Sequence, residues 1–116
     1  MSYKKTFTLE MRLKEFEDLM QKNPNKIPVI CEKAENCKIE GIKKTKYLLK
    51  KDLTIAQFST LLKRKLQLDS SNALFLLARG KNTLSSNDTI AQVYDKYKDE
   101  DGFLYIYYSN QEVWGS

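Results

Sequence analysis

Asp99-Glu100-Asp101-Gly102-Phe103-Leu104-Tyr105-Ile106-Tyr107-Tyr108 decides the fold. An acidic turn containing a glycine runs into six consecutive apolar or aromatic residues. A strand with one wet face alternates in polarity. This one does not, so it reads as a strand covered on both faces and central in its sheet. A short polar segment then leads to Val113-Trp114-Gly115-Ser116. The rest of the chain is expected to hold that strand and present that tail.

At 116 residues the chain has the length of one domain with a single core. No run is long and apolar enough to span a bilayer, and Met1 to Lys22 mixes charge with apolar residues, unlike a signal peptide. The expected compartment is cytosol or nucleus. There is no histidine, which removes Ser-His and Cys-His nucleophile pairs and most zinc sites. An enzyme is therefore the least expected class, and neither a metal nor a cofactor is expected. Cys31 reads as a small core filler and Cys37, in a polar loop, as a reduced thiol; two cysteines are too few for a zinc cluster. The net +5 charge is uneven: residues 1–80 hold 17 basic and 9 acidic side chains, residues 81–116 hold 3 and 6. Such a basic half suits acidic peptides or anionic membrane, or is simply a solvated face; nucleic acid is not among the expected partners.

Taken in order, Thr8 to Lys22 reads as a helix with Thr8 as N-cap and Leu9, Leu13, Phe16 and Met20 on one stripe. Asn23-Pro24 ends it. Lys26 to Glu32 reads as a strand, with Pro28 marking an edge or entry point. Ile42 to Leu49 reads as its hairpin partner, its lysines guarding an exposed sheet edge. Thr54 and Gln57 form a capping box for a helix carrying Ile55, Phe58, Leu61, Leu62 and Leu66 inward. Ala73 to Ala78 reads as a strand. Thr89 and Gln92 cap a short helix with Ile90, Val93 and Tyr94 inward. The two cap words, Thr-Ile-Ala-Gln, are identical and reflect shared cap chemistry, not a repeat. A hairpin, a crossover helix and a central final strand make an α+β fold, a ubiquitin-like β-grasp with an N-terminal helical extension, its first and last strands parallel. The expected division is residues 1–24 for the extension, 25–110 for the β-grasp and 111–116 for a flexible tail.

Asn25 to Lys33, Lys46-Tyr47-Leu48-Leu49, Asp52 to Phe58 and Asp99 to Tyr108 together resemble the autophagy ubiquitin-like modifiers, the family of the GABA-receptor-associated protein and the microtubule-associated light chains. The resemblance runs from about Leu9 to Gly115, with several motifs in order and at matching spacing. It implies trimming by a cysteine protease to expose a C-terminal glycine, then adenylation and thioester formation by an activating enzyme. A conjugating enzyme then joins that glycine to phosphatidylethanolamine. Gly115 is implied as the lipid attachment point, Ser116 as the residue removed and Trp114 as an aromatic anchor for those enzymes. Glycine suits such a tail because, lacking Cβ, it threads a narrow channel and leaves its carbonyl open. The implied location is cytoplasmic, and the autophagosome membrane after lipidation.

The resemblance also implies docking of receptor and adaptor peptides that carry an aromatic, two spacers and a branched aliphatic. Such a peptide adds a strand to a sheet edge. The aromatic pocket would be lined by Glu15, Leu19, Pro28, Lys46, Leu48 and Phe103, and the aliphatic pocket by Tyr47, Leu49, Leu53, Phe58 and Leu61. Lys44, Lys46 and Lys65 would meet flanking acidic residues. On residue pattern alone Phe58 and Leu61 read equally as core, Tyr47 and Lys46 less so. Affinity on the order of micromolar is expected. Lys50 stands where many relatives have proline, and Lys65 where many have arginine, which costs a bidentate carboxylate grip. The basic segment before Thr8 reads as a membrane or tubulin contact or as a mobile arm, the arm being preferred. Two other classes compete: a docking module that is never conjugated, and a modifier attached to protein.

Overall fold

A computed structural model describes residues 2–79 and 82–111. Two helices lead, α1 (Tyr3–Thr6) and α2 (Leu9–Lys22). The Thr8 hydroxyl caps α2 by accepting the Met11 N–H, and Asn23 closes it. There follow β1 (Lys26–Lys33), β2 (Lys46–Lys50), α3 (Ile55–Lys65), β3 (Phe75–Ala78), β4 (Asn82–Thr83), α4 (Ile90–Tyr97) and β5 (Leu104–Ser109). The sheet order β2-β1-β5-β3-β4 makes β5 the middle strand. It runs parallel to β1, Val29 opposite Leu104, and antiparallel to β3. This is the expected α+β β-grasp.

The non-alternating β5 is covered on both faces. Leu104, Ile106 and Tyr108 meet Phe58 and Leu62 of α3 and Ile90 and Val93 of α4 in the main core. Phe103 and Tyr105, with Ile30, form a second cluster under Tyr3, Phe16 and Leu19. So the extension is the roof of the sheet's outer face.

Pro28 sits inside β1 without breaking it. Cys31 N–H bonds to Thr45 O, so odd-numbered residues of β1 face β2. Pro28 faces the other way, one residue before the β5 ladder starts at Val29. Its missing N–H costs nothing there, in keeping with an entry point.

The two identical caps lie side by side. Thr54 and Thr89 form an antiparallel bridge, and both capping boxes are closed. Ile55 N–H donates to Asp88 O and Ala56 N–H to Ser86 O. Ile90 N–H donates to Leu53 O and Ala91 N–H to Lys51 O. Each helix start thus satisfies its orphan donors on the loop that leads into the other.

Four expectations change. β2 starts at Lys46, not Ile42, because the backbone before it is used elsewhere: Ile42 N–H donates to the Tyr108 hydroxyl at 2.9 Å. The α2 stripe faces inward only in its second half: Phe16 packs on the second cluster, whereas Leu9 and Leu13 are exposed and Arg12 is buried, drawn in by Asp101. Cys37 lies in the loop between β1 and β2 and is a free thiol, as expected, but that part of the loop is buried and Cys37 packs in the main core. The segment before Thr8 is not a mobile arm: it forms α1, with Tyr3 N–H on Glu32 Oε2 at 2.7 Å and Lys4 Nζ on Asp99 Oδ1 at 2.5 Å.

Candidate functional site

β2 is an edge strand, and among the described residues nothing pairs with its outer side. Thr45 bonds to Cys31, and Tyr47 and Leu49 lie opposite Val29 and Ile27 in the same register. Opposed antiparallel pairs alternate between bonded and non-bonded. The backbone groups of Lys46, Leu48 and Lys50 therefore point outward, ready for another strand. Side chains alternate as well. Tyr47 and Leu49 turn inward beneath α3, while Lys46 and Leu48 lie on the α2 side. The free edge thus runs between two helices, with a different surface on each side.

On the α3 side, Tyr47 is buried and meets Phe58 edge-on at 5.6 Å. Phe58 is fully buried, a core residue first. Leu53 and Leu61 are half-buried against the same core and supply what apolar rim remains. The Tyr47 hydroxyl donates to Lys44 O at 2.9 Å, and burial pushes its pKa up to about 12. Lys44 Nζ stands 5.1 Å and Lys65 Nζ 5.8 Å from its ring centre, so two cations converge on the rim.

On the α2 side, Lys46 forms an ion pair with Glu15 that spans from β2 to α2. Leu48 and Leu19 are half-buried and Pro28 is buried. Phe103, like Phe58 on the other side, has no exposed surface; Tyr3 and Phe16 pack over it.

A buried polar network fixes α2 in place. Arg12 Nη1 lies 2.6 Å from Asp101 Oδ2, and Tyr105 donates its hydroxyl to the same oxygen at 2.5 Å. Asp101 Oδ1 accepts the Phe103 N–H at 2.9 Å, which ties the network to the turn before β5. Burial works against the charge on Arg12, yet its hydrogen bonds to Asp101 and Tyr105 leave its pKa raised. Burial and the Asp101 contact push the Tyr105 hydroxyl up as well. Arg12, Asp101 and Tyr3 are not legible in the sequence as part of this region, and Phe16 is legible only as an inward residue of α2. A lone arginine between Met11 and Leu13, with an Asp-x-Asp turn far down the chain, was the available signal for the first two.

Trp114, Gly115 and Ser116 lie outside the described residues. The chain leaves β5 beside the loop after β1: Ser109 Oγ bonds Asn36 Oδ1, and Asn110 Oδ1 accepts the Lys38 N–H. Two clefts lie away from the outer edge of β2. One of about 330 Å³ is bordered by Met20, Pro28 and Tyr94; one of about 450 Å³ lies between Ser59 and Lys63 of α3 and Phe75 and Leu84. Among the described residues no cluster of His, Cys, Asp or Glu could hold a metal, and no helix is long and apolar enough to cross a membrane.

A mixed sheet grasping one helix, roofed by two leading helices and open at one edge, defines the class of ubiquitin-like proteins with an N-terminal extension. The profile described as "Autophagy protein Atg8 ubiquitin like" matches residues 11–115. "Autophagy-related protein 8h" of Arabidopsis thaliana is 39% identical over 115 residues, covering 98% of this chain and 95% of that protein. "Autophagy-related protein 8" of Vanderwaltozyma polyspora is 40% identical over 116 residues, covering 99% and 97%. The crystal structure of Trypanosoma brucei ATG8 superposes with a TM-score of 0.88 at 38% identity, covering 94% of this chain and 93% of that one. The chain belongs to the Atg8 family of ubiquitin-like autophagy proteins. That family is one of ubiquitin-like modifiers, which implies partners in a conjugation pathway.

Proposed function

We propose that this protein is a lipid-conjugated modifier that also recruits partners to the membrane it is attached to. A cysteine protease cuts after Gly115 and releases Ser116. An activating enzyme adenylates the Gly115 carboxylate and takes it as a thioester, which passes to a conjugating enzyme. The amine of phosphatidylethanolamine then attacks the carbonyl, an amide forms and the enzyme thiolate leaves. Trp114 anchors the tail in those enzymes, and the segment from residue 111 onward threads them. The protein cycles between cytoplasm and autophagosomal membrane. The observation that carries this is the family match reaching Gly115 itself.

On the membrane, the outer edge of β2 takes receptor and adaptor peptides as an added strand. The outward backbone groups of Lys46 and Leu48 support this reading, as do the unlike surfaces on either side and the cations Lys44, Lys46 and Lys65 at the rim.

Intact mass of the protein from starved cells, with membrane and soluble fractions kept apart, tests the proposal. Loss of Ser116 in both fractions, with a phosphatidylethanolamine mass only on membranes, is the expected result. Gly115→Ala should remove the lipid adduct and leave the thermal midpoint unchanged. A lipid adduct on that variant, or an unmodified chain in both fractions, overturns the attachment reading. An unmodified chain leaves an unconjugated docking module, and a protein-sized adduct leaves a modifier of proteins.

A further inference from the structure

Phe103, one of the residues expected to line the aromatic pocket, is sealed by two rings. Tyr3 of α1 meets it edge-on at 5.5 Å, and Phe16 of α2 meets it edge-on at 5.9 Å. Both rings are independently held. The Tyr3 N–H bonds Glu32, its ring packs on Phe7 at 5.0 Å, and Lys46 Nζ stands 5.6 Å from its centre. Phe16 lies against Gly102, where an added Cβ would come within 2.6 Å of its ring atoms. The space any other residue would fill at Gly102 is used by Phe16. Lys46, paired with Glu15 and placed over Tyr3, joins this lid to the edge strand.

We infer that Tyr3 and Phe16 are specificity-determining residues of the β2 groove: by covering Phe103 they make its first pocket shallow, so that it favours an aliphatic anchor over an indole. The inference rests on the peptide-docking reading above. With both rings edge-on and centred 5.5 and 5.9 Å from the centre of Phe103, the surface over Phe103 is raised by at least one carbon contact distance, about 3.5–4 Å. An indole seated on the raised floor keeps its far edge in water and loses much of the burial that makes tryptophan a strong anchor. A branched aliphatic side chain is short enough to be covered between Leu19, Leu48 and the stem of Lys46.

The test titrates the full chain with two acidic-flanked peptides that differ only at the first anchor, Trp or Ile, each followed by two spacers and Leu. Wild type should bind the Ile peptide at least as tightly as the Trp peptide. Phe16→Ala should shift the ratio toward Trp by about tenfold, and Tyr3→Ala should shift it in the same direction. Binding of the Trp peptide by Phe16→Ala but not by wild type would support the inference equally. If Phe16→Ala does not fold, Tyr3→Ala still decides, because α1 adds no fully buried residue. Tenfold tighter binding of Trp by wild type, or a ratio unmoved in the folded variants, overturns the inference and leaves the docking reading standing. No binding of either peptide by any of the proteins overturns the docking reading and the inference with it.

Discussion

Replacing Asp101 by asparagine keeps the shape of its side chain and removes its charge. Oδ1 still accepts the Phe103 N–H, so the turn before β5 keeps that bond. The amide nitrogen that replaces Oδ2 then faces the Arg12 guanidinium, donor against donor, and a nearly buried cation loses its partner. Breaking a buried pair on one side costs about 3–5 kcal/mol. Asp99 lies 3.9 Å from Arg12 and the arginine side chain keeps 10% of its surface exposed, which pulls the cost toward ~2–3 kcal/mol. With about 2.1 cal/mol/K of unfolding entropy per residue, a chain of this length should lose ~8–12 °C of thermal midpoint. Urea unfolding should show the same loss as a shifted midpoint at constant slope. Arg12→Leu combined with Asp101→Asn should recover much of it, because the stranded charge is gone. A double variant no more stable than Asp101→Asn, or a single variant within about 0.5 kcal/mol of wild type, would refute the account of how α2 is held.

Two further outcomes follow from the same geometry. Gly102→Ala forces a side chain onto a backbone at φ 92° and into the Phe16 ring, so it should cost about 1–3 kcal/mol from the backbone alone; a thermal midpoint within about 2 °C of wild type would contradict this. The Tyr47 hydroxyl is raised by burial from an ordinary 10.0 to about 12. The folded state thus holds that proton more tightly than the unfolded one. The contribution is complete below pH 10 and falls away between pH 10 and about 12. Tyr47→Phe should flatten that part of an alkaline unfolding curve followed by circular dichroism, and an unchanged curve would count against it.

What was legible in the sequence was whatever depends on local pattern. The β5 run announced a strand covered on both faces. Thr54 to Gln57 and Thr89 to Gln92 announced two helix starts, and Asn23-Pro24 announced a stop. What was not legible depends on residues far apart in the chain. The stripe of Leu9, Leu13, Phe16 and Met20 held for Phe16 but not for Leu9 and Leu13, because a partner 89 residues away, Asp101, draws Arg12 inward at that end of α2. The segment before Thr8 gave no pattern of its own, since α1 owes its place to Glu32, Asp99 and Phe103. At the candidate groove, the edge strand was readable from its lysines, whereas the sealing of Phe103 needed the placement of Tyr3 and Phe16. The identity of the two cap words was noticed, but not that they would lie against each other.

That pairing has a consequence for how the molecule opens. The amide protons of Ile55, Ala56, Ile90 and Ala91 all end on the opposite helix's leading loop, so none can reach solvent by fraying of its own helix alone. They should exchange with deuterium as one group, at one opening free energy, even though α3 and α4 are far apart in sequence. Leu53, at the rim of the candidate groove, supplies one of the carbonyls in this group. Ligand that quiets Leu53 should therefore slow exchange at Ile90, on a helix it does not touch.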